Sequence, residues 1–227
     1  MKSLSRYVIL IITLPSITLA DGIAIDKVYH PYVQPLEREV EWRMTSADGE
    51  QTHRFGLGKA VSDSLFAEAY LIAEQNKHND LKAKAYELEL KWQLSEQGEF
   101  DVDWGLITEL EYEYHQDNVE LASGLILEKA WGRWVGTANL WLIYEHSPIN
   151  AEFETALALQ TRYRYKHYLE PAIEFYAGQD TRGLGPVLMG DLKFGPGKKL
   201  HWEAGIIFGL ETDSPDNTWR FSTEYEF

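Results

Sequence analysis

Apolar and polar residues alternate along most of this chain with a period of two. Side chains of a strand point alternately to opposite faces, so each such stretch reads as a strand with one apolar and one polar face. The first spans 36–45, with Leu36, Val40, Trp42 and Met44 on one parity, and Glu37, Glu39, Glu41 and Arg43 on the other. Arg38 shares the apolar parity at the strand's lower end. A polar turn, Ala47-Asp-Gly-Glu50, returns the chain through 52–62, where Phe55, Leu57 and Val61 oppose Gly56 and Gly58. Further strands are expected at 65–74, 81–94, 100–114, 119–129, 134–145, 152–165, 169–178, 187–194, 200–210 and 218–227. Turns fall at 62–64, at Gly132-Arg133 and at Gly195-Pro-Gly197. The glycine-rich run 178–186 is expected to be the longest external loop, with Asp180 and Arg182 folding it into the mouth. It is not a phosphate cradle, because no helix follows it.

Segments of about ten alternating residues separated by polar turns are the signature of a transmembrane barrel, weak singly and informative in sum. The expected fold is all-β: a closed, antiparallel, up-and-down transmembrane β-barrel of about twelve strands over residues 36–227. An even strand count lets the first and last strands pair antiparallel, leaving no free edge, as a sheet in lipid requires. After residue 20 no stretch reaches the roughly 20 apolar residues a spanning helix needs. The outward aromatics sort into two heights. Trp92, Trp104, Trp134, Tyr163, Trp202, Tyr225 and Phe227 fall low, and Trp42, Tyr86, Tyr112, Tyr144, Phe153, Phe208 and Trp219 fall high. Two aromatic girdles around an aliphatic band match two membrane interfaces. The outward basic residues Arg38, Lys59 and Lys129 all fall near one end of their strands, where they can snorkel to headgroups.

The two ends of the chain agree with this reading. In the last ten residues Trp219, Phe221, Thr223, Tyr225 and Phe227 share one parity, opposite Thr218, Arg220, Ser222, Glu224 and Glu226. This ending resembles the C-terminal assembly signal of Gram-negative outer-membrane β-barrels of the porin and transporter-like kind; Thr223 departs from the apolar residue usual there. The resemblance implies an outer-membrane location, lipid around the wall, and engagement of the barrel-assembly machinery through Trp219, Phe221, Tyr225 and Phe227. Residues 55–69 likewise resemble a hairpin of transporter-like barrels. At the other end, a short basic region with Lys2 and Arg6 precedes the apolar run 7–19 and the small-residue site Thr18-Leu-Ala20. This pattern is that of a secretory signal peptide over 1–20. Residues 21–35, without clean alternation and carrying two prolines, are expected to form a periplasmic lead-in or a short plug, with Tyr29-His-Pro-Tyr32 its most distinctive run. A periplasmic partner is one possible use of it.

Charge refines the picture. Without residues 1–20 the chain carries 19 basic against 36 acidic residues, a formal charge of −17. Nucleic acid is excluded as a partner, since phosphate binding needs a basic surface. There is no cysteine, hence no thiolate chemistry or disulfide framework. The acids concentrate on the inward parity, among them Glu39, Glu41, Glu87, Glu89, Asp101, Glu109, Glu111, Glu113 and Glu174, offset in part by Arg43, Lys91, Arg162, Arg164, Lys193 and Arg220. A lumen lined with carboxylates favours cations in a pore. The expected function is passive diffusion of small cationic or neutral solutes. Charge selectivity is assigned to Glu39, Glu41, Glu87, Glu89, Glu109, Glu111, Glu113, Arg162, Arg164 and Arg220. No cofactor, metal or catalytic residue is expected. Two rivals remain. One is a non-conducting structural or partner-binding barrel whose acids are simply paired with its bases. The other is a lipid-active hydrolase, for which His146 and Ser147 stand adjacent without the base–nucleophile geometry such chemistry needs. His201 and Glu203 share a face at i and i+2, but a solvated lumenal pair is the simpler reading than a metal site.

Overall fold

The structure, a computed structural model, describes residues 25–227; the signal-peptide reading of 1–20 lies outside them. Twelve strands follow one another: β1 (Arg38–Ala47), β2 (Glu50–Ala60), β3 (Leu65–Gln75), β4 (Leu81–Gln93), β5 (Asp103–Glu113) and β6 (Asn118–Trp131). The second half comprises β7 (Trp134–His146), β8 (Ala151–Tyr163), β9 (Glu170–Ala177), β10 (Arg182–Gly195), β11 (Lys198–Gly209) and β12 (Asn217–Glu226). Each pairs antiparallel with its neighbours in sequence, and β12 pairs with β1 from Glu39↔Glu226 to Ala47↔Thr218. The sheet therefore closes and every ladder finds a partner, the condition for strands in hydrocarbon.

The alternation sorts the two faces of this wall. Leu57 is 68% and Phe153 67% exposed, and Leu88, Leu106, Leu142 and Ile173 also face outward. A closed barrel with an apolar exterior is built to be surrounded by lipid. Aromatics gather at both rims: Trp134 packs on Tyr163 with ring centroids 4.9 Å apart at one, and Tyr144 on Phe153 at 4.8 Å at the other. On the C-terminal strand Trp219, Phe221, Tyr225 and Phe227 keep the outward parity. Phe221 meets Trp42 at 5.5 Å, and the Phe227 amide donates to the Arg38 carbonyl at 2.8 Å.

Three expectations are corrected. The run 178–186 is not the longest loop: the chain leaves β9 at Ala177 and re-enters the wall at Arg182, which pairs back with Ala177. Its glycines serve strand packing. A Cβ on Gly185 would sit 1.8 Å from the Ile206 carbonyl oxygen on the neighbouring strand. Arg182 pairs with Glu211 at 2.6 Å instead of folding the run inward with Asp180. Asp101 precedes β5 and is exposed, bonded to Lys129 at 2.6 Å outside the lumen. Arg164 lies past the end of β8, where the chain has left the wall and its amide donates to the Arg133 carbonyl. The alternating pattern ran on through both turns; the hydrogen-bonded ladder did not.

Candidate functional site: the lumen and the segment inside it

Residues 25–33, which show no strand periodicity, run within the barrel, and 34–36 lead out, exposed, to β1. Ile25, Val28, Tyr29 and Val33 are almost wholly buried there. Ile25 and Val28 pack with Ala158, Ala172, Tyr176, Val187, Met189 and Ile207 from β8 to β11. Tyr29 meets Ile107 and Ile126 on β5 and β6, edge-on to Trp141 at 5.8 Å. Burying each such side chain is worth about 1.5–3 kcal/mol.

Leaving the ladder obliges this segment to find other partners for its backbone. Asn139 on β7 supplies two at once: its Oδ1 accepts from the Tyr29 amide at 2.7 Å and its Nδ2 donates to the Tyr29 carbonyl at 2.9 Å. The Val33 amide donates to Gln93 Oε1 at 2.7 Å, and the Asp26 carbonyl accepts from the Tyr176 hydroxyl at 3.1 Å. Side chains complete the attachment around the wall. Lys27 reaches Glu41 at 2.8 Å and Glu224 at 3.2 Å; Tyr32 donates to Asp103 at 2.8 Å; Gln34 donates to Glu226 at 3.1 Å. His30 Nδ1 lies 2.5 Å from Glu128 Oε2, which also accepts from Thr137 at 3.0 Å. The segment thus touches strands on every side of the lumen.

Its charges are set by these neighbours. Burial alone would raise the Asp26 pKa, but Arg43 at 3.1 Å, Arg54 at 3.7 Å, and Arg220 and Lys27 beyond them hold it below the ordinary carboxylate value. Burial would lower that of Lys27, yet Glu41 and Glu224 hold it well above the usual lysine value. Both groups are therefore charged across the neutral range.

Above the segment opens a vestibule of about 360 Å³, floored by Asp26, Lys27 and Tyr29 and walled by Glu109, Glu111, Glu113, Glu120, Glu145 and Glu154. Arg54 and Lys84 are the basic residues of the wall around it. Arg54 is tied to Glu87 and, at 3.3 Å, to Glu111.

The residues expected to set charge selectivity separate accordingly. Glu109, Glu111 and Glu113 line the vestibule. Glu39, Glu41, Glu87 and Glu89 are buried deeper in the β1–β4 wall. Arg162 pairs with Glu170 at 3.3 Å near the opposite end of the barrel from the vestibule, and Arg164 lies beyond the strands. Arg220 is buried between Glu174, at 2.6 Å, and Glu203. Several partners were not foreseen. Arg54 has the inward parity that Gly56 and Gly58 already marked on β2, and Glu128 the parity opposite the outward Lys129. Glu68 was obscured because Phe66 and Tyr70 share its inward face. Lys27 lies in a segment with no periodicity to read.

The two chemical rivals also have a geometry. His201 Nδ1 lies 2.8 Å from Asp191 and Nε2 3.1 Å from Glu203, so neither ring nitrogen is free for a metal. Ser147 is engaged with the backbone of Asn150, while the His146 ring stacks on Tyr144.

A scan of protein-family models finds none that matches this chain, and a search of curated proteins finds no relative. Solved structures do match in shape. The NanC porin superposes with a TM-score of 0.58 at 9% identity, covering 84% of this chain and 100% of that one. The KdgM porin in complex with disordered oligogalacturonate gives 0.56 at 9% identity, covering 83% and 98%. An outer membrane channel from Pseudomonas putida F1 gives 0.54 at 13% identity, covering 92% and 99%. The chain therefore has the closed-barrel fold of outer-membrane porins and channels.

Proposed function

We propose that this chain is a porin-like channel of the bacterial outer membrane, passing small cationic or neutral solutes by diffusion, with residues 25–33 forming a plug that narrows its lumen. The apolar exterior and the shared fold support the location and the coarse class. The observation that carries the charge preference is the carboxylate-walled vestibule above Asp26 and Lys27. In this reading the outward row Trp219, Phe221, Tyr225 and Phe227 presents the C-terminal strand to the assembly machinery. A solute entering the vestibule meets a field that favours cations and excludes anions. What lies below it is the N-terminal segment, whose position sets how much of the lumen stays open.

The contacts of that segment with β1, β4, β5, β6, β7, β9 and β12 favour the second reading, a non-conducting barrel sealed by its own chain. Single-channel recording of the refolded protein in planar bilayers under a salt gradient separates the two. Open steps with a cation-selective reversal potential support the channel. The combined Glu109→Gln, Glu111→Gln and Glu113→Gln substitutions then move that potential toward zero. A barrel that is folded and silent overturns the channel and leaves the sealed, structural reading.

A further inference from the structure

Below the vestibule, Glu39, Glu41 and Glu68 converge from β1 and β3, each at most 6% exposed, with one carboxylate oxygen from each lying within 4.8 Å of the others. Glu68 makes no ion pair among the described residues, and its Oε1 is buried without a hydrogen-bond partner. Glu41 gives Oε2 to Lys27 and to the Tyr70 hydroxyl at 3.0 Å, leaving its Oε1 without a hydrogen bond. The backbone makes room for this convergence. A Cβ on Gly56 would lie 2.2 Å from Glu68 Oε1 and 2.6 Å from the Tyr70 ring, so β2 presents a hollow into which the Glu68 carboxylate folds. Directly across the ladder stands Glu89, 2% exposed, with Oε2 unpartnered as well.

An isolated buried carboxylate is too costly to persist, and buried charges are paired or coordinate metals. Here four acids face three cations: Lys27 and Arg43 pair with Glu41, neither pairs with Glu39 or Glu68, and Lys91, which lies over the Phe66 ring, makes no ion pair with any of the four among the described residues. We propose that Glu39, Glu41 and Glu68, with Glu89 beside them, form a binding site for one divalent cation of the hard, oxygen-seeking kind such as Ca²⁺. Calcium accepts six to eight oxygens at about 2.3–2.6 Å, so oxygens on opposite sides of the ion stand about 5 Å apart, and the oxygens of this cluster fall inside that limit. The flexible coordination of Ca²⁺ suits three carboxylates and water better than the strict octahedron of Mg²⁺. The rival occupant is a shared proton.

The test is calorimetric titration of Ca²⁺ into the chelator-stripped, refolded full chain in detergent micelles. One equivalent per chain is expected, with affinity reduced at least tenfold by Glu68→Gln and unchanged by Glu154→Gln, which alters the separate vestibule acids. Heat-modifiable gel migration reports folding. Glu39→Gln is the second variant and is expected to reproduce the Glu68→Gln loss. No saturable binding, binding indifferent to both Glu68→Gln and Glu39→Gln, or binding removed by Glu154→Gln would each overturn the site, the first leaving the proton as occupant. None of these readouts depends on conduction, so a silent barrel and a missing cation site remain separate failures.

Discussion

The two sides of the lumen solve the same problem differently. From β8 to β12 the inward face is packed with Ala158, Ala172, Tyr176, Val187, Met189 and Ile207, and its buried acids Glu174, Glu203 and Glu226 have partners. Glu174 accepts from Arg220, from Tyr176 at 2.7 Å and from Gln160 at 2.8 Å, while Glu203 meets Arg220 and His201. From β1 to β5 the face is a field of carboxylates, Glu39, Glu41, Glu68, Glu87, Glu89 and Glu109, with too few bases to match. The N-terminal segment lies between them. It buries Ile25 and Val28 against the first side and sends Lys27 to the second. One wall holds it by apolar contact and paired polar groups, the other by charge. Packing and paired charges dominate the first side, and buried carboxylate oxygens without hydrogen-bond partners gather on the second.

The largest expected effect comes from unbalancing the paired side. Arg220→Ala leaves Glu174 and Glu203 buried without their shared cation. Breaking a buried pair by removing one partner typically costs about 3–5 kcal/mol. Urea unfolding in micelles should show a loss of that size. Lys199→Ala, which removes a partner of Glu226 at 2.5 Å that is partly open to solvent, should cost less. Equal losses would mean that the two sides are not held differently.

A smaller effect tests the segment itself. Asn139→Ala removes both hydrogen bonds to the Tyr29 backbone, leaving a buried amide and carbonyl unpaired. Each such group costs about 1–3 kcal/mol. If residues 25–33 narrow the lumen, the variant should show more frequent or larger open steps than the parent protein. Unchanged conductance with lowered stability would make the Asn139 contact purely structural.

How much of this was readable in the chain follows from what makes a pattern. Strand order, closure and face came through because a lipid exterior forces apolar residues onto every second position, from Val40 and Trp42 on β1 to Trp219 and Phe221 on β12. Strand ends did not, because alternation carries no record of where pairing stops. Arg164 and Asp101 share the parity of lumenal residues yet lie outside the ladder. The run 178–186 misled for the opposite reason: its glycines resemble a loop and serve the close approach of β10 to β11. The site was legible as a list of acids but not as an arrangement. Which of them are paired depends on Lys27, Asp26 and His30, which reach the wall from a segment with no period at all.

The smallest expected effect falls at the junction of that segment with the wall. Glu37 precedes β1, and burial together with the neighbouring Glu226 raises its pKa to about 7 from 4.5. The folded protein therefore binds the Glu37 proton more tightly than the unfolded chain does. Stability tied to this group is present at low pH, declines as pH rises from about 4.5 through 7, and changes no further above that window. Glu37→Gln mimics the protonated form at every pH. Comparing the melting temperature of parent and variant at pH 5 and pH 8 isolates the contribution, because titrations elsewhere in the barrel are common to both. The two should be close at pH 5, with the variant higher at pH 8. A variant less stable at pH 8 would mean that the Glu37 charge is held favourably there, by the Gln34 amide that donates to it at 3.2 Å or by Lys91, and that Glu226 is not the neighbour that matters.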